Sequence, residues 1–158
     1  MAGFKGQWDY AVDSKGRLAL PAKLRRAIRP EANNSLTITR GFEGCLYAYP
    51  AYEWERVEEQ LSALNTYRRK SRALIRTILR WADDVTLDGQ GRLAIGKRHM
   101  DFAGITDRVL IIGTLERIEL WDPEVFAQQQ TENDFEYEDL AELVMGGMPP
   151  SDEGDSDD

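Results

Sequence analysis

The segment Val12-Asp13-Ser14-Lys15-Gly16-Arg17-Leu18-Ala19-Leu20 returns 75 residues later as Leu87-Asp88-Gly89-Gln90-Gly91-Arg92-Leu93-Ala94-Ile95. Downstream, Leu36 to Thr39 and Cys45 to Pro50 are answered by Val109 to Ile112 and Ile118 to Pro123, so the chain holds a duplicated unit. Asp-x-x-Gly-Arg is turn chemistry. The short Asp carboxylate accepts hydrogen bonds from nearby backbone, and glycine in the fourth place tolerates unusual dihedrals. Before the first turn, Trp8, Tyr10 and Val12 alternate with Gln7, Asp9 and Ala11, and beyond it Leu18 and Leu20 alternate, which is the period of half-buried strands. Pro21 predicts the first position of a helix running through Leu24 and Ile28. Leu36 and Ile38, then Leu46, Tyr47 and Tyr49, give two more strands parted by a turn at Gly41 to Gly44. Each unit therefore reads strand, turn, strand, short helix, strand, turn, strand. Such a unit has one apolar face and little core of its own, so the two copies are expected to close on each other into a single barrel-like core.

Residues 51–82, between the copies, read as a helical hairpin. Trp54, Val57, Leu61 and Leu64 recur at helical spacing, as do Tyr67, Leu74, Ile75, Ile78, Leu79 and Ala82, with Asn65 or Thr66 able to cap the second helix. The first helix carries Glu53, Glu55, Glu58 and Glu59 against Arg56; the second carries Arg68, Arg69, Lys70, Arg72, Arg76 and Arg80 and no acid. Two readings fit this split: salt bridges between the helices, within the chain or across a subunit contact, or a nucleic-acid surface on the second helix. The organisation expected is a first unit over 4–50, the hairpin over 51–82, a second unit over 83–126 and an acidic tail over 131–158. In the tail, Tyr137, Leu140, Ala141 and Val144 predict one short helix ended by Gly146 and Gly147, and the residues after it have the composition of a disordered segment.

Composition narrows the class. With 42% hydrophobic and 30% charged residues the 158-residue chain has the balance of a folded globular protein. No apolar run approaches the roughly 18 residues of a spanning helix, so no membrane contact is expected. Cys45 has no partner for an intrachain disulfide, which suits a reducing cytoplasm and excludes zinc fingers. The net charge of −8 divides unevenly, since 11 of the 28 acids lie in residues 131–158, where there is no Lys or Arg. Residues 1–130 keep 17 acids against all 20 basic residues, a net of +3. A basic body with an acidic tail points toward nucleic acid, and the tail can compete with phosphate for the basic surface.

The chemistry of the turns has two readings. In one, Asp13 and Asp88 close turns and each Arg pairs with its own Asp. In the other, Arg17 and Arg92 are presented on one edge to bind phosphate or the O6/N7 edge of guanine, with Lys15, Lys23, Arg25 and Arg26 around the first copy. Duplication favours the second. Arg17 also ranks above Arg92 by sequence neighbourhood, because Arg92 follows Asp83, Asp84 and Asp88. No nucleophile motif, phosphate-binding glycine loop or dinucleotide fingerprint occurs, His99 lacks companions at ligand spacing, and Trp8, Trp54 and Trp121 follow core periodicities. Neither catalysis, a metal, a cofactor nor a small-molecule substrate is therefore expected.

Phe4-Lys5-Gly6, the stretch Asp13 to Lys23, Thr39 to Tyr47, and Asp88 to Arg92 through Arg117 to Trp121 together resemble the MraZ family of bacterial transcriptional regulators, over residues 4 to about 126. The resemblance implies an α+β fold in which two tandem SpoVT-AbrB-type units form a swapped-hairpin β-barrel. It also implies a ring-shaped homo-oligomer in the cytoplasm, associated with the nucleoid, bound to repeated double-stranded DNA sites in the promoter of the division and cell-wall gene cluster. By position, Arg17 and Arg92 become the DNA contacts with Lys15 beside them, while Asp13, Gly16, Asp88 and Gly91 shape the turns. A protein-binding, antitoxin-like scaffold of the same superfamily is the alternative. Gly96 stands where the family pattern favours proline, which leaves the start of the following helix less fixed.

Overall fold

In chain order the computed structural model contains β1 (Phe4–Ala11), β2 (Arg17–Ala19), α1 (Ala22–Ala27), a single 3₁₀ turn (Pro30–Ala32), β3 (Ser35–Arg40) and β4 (Leu46–Pro50). There follow α2 (Ala51–Ser62), α3 (Arg69–Arg80), β5 (Asp83–Thr86), β6 (Arg92–Ala94), α4 (Lys97–Ala103), β7 (Arg108–Leu115), β8 (Arg117–Trp121), α5 (Pro123–Glu132) and α6 (Tyr137–Val144). The structure describes residues 1–133 and 135–147; the stretch expected to be disordered after Gly147 lies outside the described residues. Met1–Ala127 form one compact unit, and a smaller one begins at Gln128.

The architecture is mixed α+β, with a six-stranded antiparallel sheet in the order β1-β7-β8-β4-β3-β5 and a separate ribbon of β2 and β6. Among the described residues, the β3–β4 and β7–β8 hairpins pair within one copy, as does the isolated Val12–Leu18 bridge. Every other ladder joins the copies: β1 with β7 from Phe4↔Leu115 to Ala11↔Arg108, β3 with β5, β4 with β8, and β2 with β6. The duplicated units are thus interleaved rather than stacked.

Alternation along the strands explains why. Leu36, Ile38, Leu46, Ala48, Val109, Ile111, Ile118 and Leu120 are buried in one cluster drawn from both copies, joined by Leu18 and Leu93 from the ribbon. A buried Leu or Ile contributes roughly 1.5–3 kcal/mol, and neither copy alone can cover these side chains. On the opposite face Tyr47, Tyr49, Leu110 and Trp121 form a second cluster with Trp54 of α2. There the Thr37 hydroxyl donates to Asp84 at 2.8 Å and the Thr39 hydroxyl to the Ile78 carbonyl at 3.1 Å, which satisfies polar groups that the sheet buries.

Several local expectations need adjustment. Pro21 is the N-cap of α1 rather than its first residue, and Gly96 caps α4 with nearly the same backbone (φ −70°, ψ 159° against φ −55°, ψ 140°). The glycine has adopted the conformation a proline would impose. The N-cap of α3 is Arg68, not Asn65 or Thr66; the Asn65 side chain instead accepts from the Tyr67 amide at 3.0 Å, closing a turn just ahead of the helix. α5 was not anticipated, although its signal was present: Asp122 stands before Pro123, and its carboxylate accepts from the amides of Glu124 and Val125 at 3.1 and 3.2 Å.

Candidate nucleic-acid interface

The two Asp-x-x-Gly-Arg turns are superimposable in their hydrogen bonding. In the first, Asp13 Oδ1 accepts from the amides of Lys15 and Arg17, both at 2.9 Å, and Asp13 Oδ2 accepts from Arg17 Nε at 2.8 Å. In the second, Asp88 Oδ1 accepts from the amides of Gln90 and Arg92 at 2.9 Å, and Oδ2 from Arg92 Nε at 2.8 Å. The Arg amides, reinforced by the guanidinium, outweigh the partial desolvation and hold both carboxyls below the ordinary carboxylate range. Gly16 and Gly91 take φ of +78° and +72°, the left-handed backbone that closes such a turn.

Each turn is then stitched to the other copy. The Gly16 carbonyl accepts from the Ile95 amide at 2.8 Å, and the Gly91 carbonyl accepts from the Leu20 amide at 3.1 Å. In the β2–β6 register Arg17 faces Ala94 and Arg92 faces Ala19. By strand alternation the four share one face while Leu18 and Leu93 point into the core. The arginines are therefore diagonal neighbours on one ribbon, about 7–8 Å apart. Their side chains are 37% and 29% exposed. Because each Asp engages Nε, the end of each guanidinium that carries the two terminal nitrogens faces away from that carboxylate, with no hydrogen bond or ion pair to it among the described residues, and can take a bidentate acceptor.

The Asp–Arg pair is thus structural, and the same pairing orients each arginine on the ribbon. The basic neighbours fall differently from their order in sequence. Arg25 and Arg26 of α1 line a cavity of about 350 Å³ beside the second turn, with Asn34, Leu87 and Asp88. The Arg25 side chain lies against Gly91, where an added Cβ would stand 2.7 Å from Arg25 Cδ, and Arg25 Nε donates to the Leu20 carbonyl at 3.0 Å. The first turn instead faces α4, where Lys97 is paired with Asp101 at 2.9 Å and Met100 lies near Gly16. Lys15 lies on the first turn itself; Lys23 is exposed on α1 but does not line the second cavity. Of the acids that seemed to weaken Arg92, Asp83 is paired with Arg98 at 3.1 Å and Asp84 accepts from Thr37, while Asp88 pairs with Arg92 just as Asp13 pairs with Arg17. Interleaving has exchanged the surroundings of the two arginines, so the sequence-based ranking of Arg17 above Arg92 loses its basis.

Other residues singled out in the sequence take structural places. His99 is buried with Nε2 at 2.6 Å from the Trp81 carbonyl. Trp54 and Trp121 are core, and Trp8 packs at its margin. Cys45 is free and buried, and burial pushes its thiol up, away from thiolate chemistry. Among the described residues no ion pair joins α2 to α3, and no helix is long and apolar enough to cross a membrane.

A duplicated hairpin unit, interleaved with its copy and showing two oriented arginines on one ribbon, defines a tandem-repeat protein of mixed α+β architecture. The chain matches the sequence profile of the family described as "MraZ protein, putative antitoxin-like" twice, over residues 4–77 and 78–144. It is 37% identical over 142 residues to the transcriptional regulator MraZ of Lactiplantibacillus plantarum, covering 90% of this chain and 98% of that protein. It is 36% identical over 141 residues to the transcriptional regulator MraZ of Clostridium beijerinckii, covering 89% and 96%. The chain belongs to the MraZ family.

Proposed function

We propose that this chain is a sequence-specific DNA-binding transcriptional regulator and not an enzyme. The observation that carries the reading is the pair of carboxylate-oriented arginines, Arg17 and Arg92, on one face of the β2–β6 ribbon. A two-stranded ribbon fits the major groove, and an arginine presented end-on is the commonest bidentate partner of guanine. Their separation of about 7–8 Å matches roughly two base steps of about 3.4 Å. Lys15, Lys23 and Arg25 contribute phosphate contacts, which position the ribbon without reading sequence. Asp13, Gly16, Asp88 and Gly91 act through the arginines by shaping the turns.

The finer organisation follows the same reading. The interleaved units, 4–50 and 83–126, form a swapped-hairpin barrel around the shared core, with the hairpin 51–82 between them in the chain and the acidic tail 131–158 following them. Chains assemble into a ring that engages repeated sites in the promoter of the division and cell-wall gene cluster, in the cytoplasm at the nucleoid. Repetition suits a module with few base contacts, because linked sites gain affinity through effective concentration. The names of the two relatives support the regulatory role. The antitoxin-like part of the family description favours a second reading, in which the chain binds a protein partner.

The test is a footprint of the purified protein on the DNA upstream of its own gene. Protection at regularly spaced repeats, weakening steeply as salt rises, is the expected result. A stable complex with a protein partner and no protection at any salt concentration would replace the regulator by the scaffold.

A further inference from the structure

A buried acid and a half-buried arginine face one cavity where the helical hairpin meets the sheet. Tyr49 of β4, Glu53 and Val57 of α2, Leu74 and Ile78 of α3 and Arg117 of β8 line a space of about 300 Å³, the size of a small-molecule site. Glu53 is 2% exposed. Its Oε1 accepts from Arg56 at 3.4 Å and its Oε2 stands 3.4 Å from the N-terminal amine, both longer than the roughly 2.7–2.9 Å of a charge-assisted hydrogen bond. Oε2 has no hydrogen-bond donor among the described residues.

Arg117 is the opposite case. Its guanidinium lies 4.3 Å from the centre of the Tyr47 ring and 5.8 Å from that of Tyr49, and its Nε is buried with no acceptor among the described residues. A buried carboxylate oxygen and a buried guanidinium nitrogen each cost free energy until a group of the opposite kind meets them. The acid calls for an ammonium, the arginine for a carboxylate. Val57, Leu61, Leu64, Leu74 and Ile78 add an apolar wall to the same cavity. An anionic amphiphile would face Glu53 and Glu116 there, and a cationic one Arg56 and Arg117, whereas a small zwitterion with an apolar group suits all three features.

We propose that this cavity binds a free α-amino acid with an aliphatic side chain, its ammonium on Glu53, its carboxylate on Arg117 and its side chain against Leu74 and Ile78. The amino acid is a ligand and not a substrate; no bond is made or broken. The site requires neither a second copy of the chain nor DNA on Arg17 and Arg92. Its members come from four separate elements, so no local motif marks it in the sequence.

Calorimetric titration of the full chain without DNA tests this with three probes: L-leucine, leucinamide, which lacks the carboxylate, and 4-methylpentanoate, which lacks the ammonium. Leucine is expected to bind with a Kd at or below about 1 mM, and the other two at least tenfold more weakly. Glu53→Gln keeps the shape of the acid and removes its charge, and Leu74→Trp fills the cavity from a side chain that is 49% exposed. Each is expected to weaken leucine at least tenfold, and Leu74→Trp carries the test even if the buried Glu53→Gln does not fold. The absence of both binding heat and a rise in Tm with leucine, isoleucine and valine overturns the proposal. Binding of either analogue as tight as that of leucine, or a leucine affinity untouched by Leu74→Trp, overturns it as well.

Discussion

The two Asp-x-x-Gly-Arg turns share every internal hydrogen bond and differ in what packs on them. The second turn lies under the arginines of α1, whereas the first faces a methionine and a neutralised Lys–Asp pair of α4. Neither neighbour belongs to the copy that supplies the turn. Interleaving has crossed the helices over, so a turn's electrostatic surroundings are inherited from the other half of the chain. In a duplicated, interleaved protein, charge proximity must therefore be counted in space, and sequence proximity misassigns it.

The largest effect that sharpens the comparison is steric. A Cβ at Gly16 would stand 2.4 Å from the Ile95 carbonyl oxygen, a backbone atom of the residue whose amide bonds the Gly16 carbonyl, while at Gly91 its nearest neighbours belong to the movable Arg25 side chain. Both positions add the left-handed cost of a non-glycine residue, about 1–2 kcal/mol. Gly16→Ala adds overpacking against a rigid neighbour, about 1–3 kcal/mol. Urea unfolding should place Gly16→Ala well below Gly91→Ala; equal losses would mean the Ile95 backbone yields as freely as Arg25.

A smaller effect concerns phosphate. Arg25→Ala should weaken binding to all duplexes and lower the salt slope by about one contact. Met100→Arg, which installs the cation at the equivalent place over the first turn, should raise the slope by a similar amount. A salt slope unchanged by both substitutions would break the assignment of Arg25 to the second turn's phosphate contact.

The smallest is titration. Asp13 and Asp88 have folded-state values below the unfolded carboxylate value of about 3.9. Their contribution is therefore fully present above that value and is lost as pH falls through the depressed folded values. Stability should not change on their account between about pH 5 and 7. Asp13→Asn and Asp88→Asn should each flatten the acid limb of stability against pH, and by similar amounts because the two carboxylates are equally exposed. An undiminished acid limb in the double variant would show that the turns do not stay closed in solution.

Much of this was legible in the sequence because it is local. The Asp-to-Arg spacing announces the turns, strand alternation places Leu18 and Leu93 inward, and the helical hairpin and α6 follow from apolar spacing. What escaped is non-local. No residue of β1 states that its partner is β7 rather than a strand of its own copy; that choice is made by the shared core of Leu36, Ile38, Val109 and Ile111. The exchange of Arg25 between turns follows from it. α5 was missed for a different reason: its apolar period is weak, although the Asp122-Pro123 cap signalled its start.

The central claim is that the two oriented arginines read DNA. It is tested most directly by titrating wild type, Arg17→Ala and Arg92→Ala against one duplex from the upstream region and one random duplex, at a single salt concentration. Each substitution is expected to cost about 1–3 kcal/mol of specific affinity, with Arg92→Ala losing at least as much as Arg17→Ala, while random-duplex affinity and the circular dichroism spectrum stay close to wild type. Wild-type affinity of both variants for the upstream duplex would contradict the account.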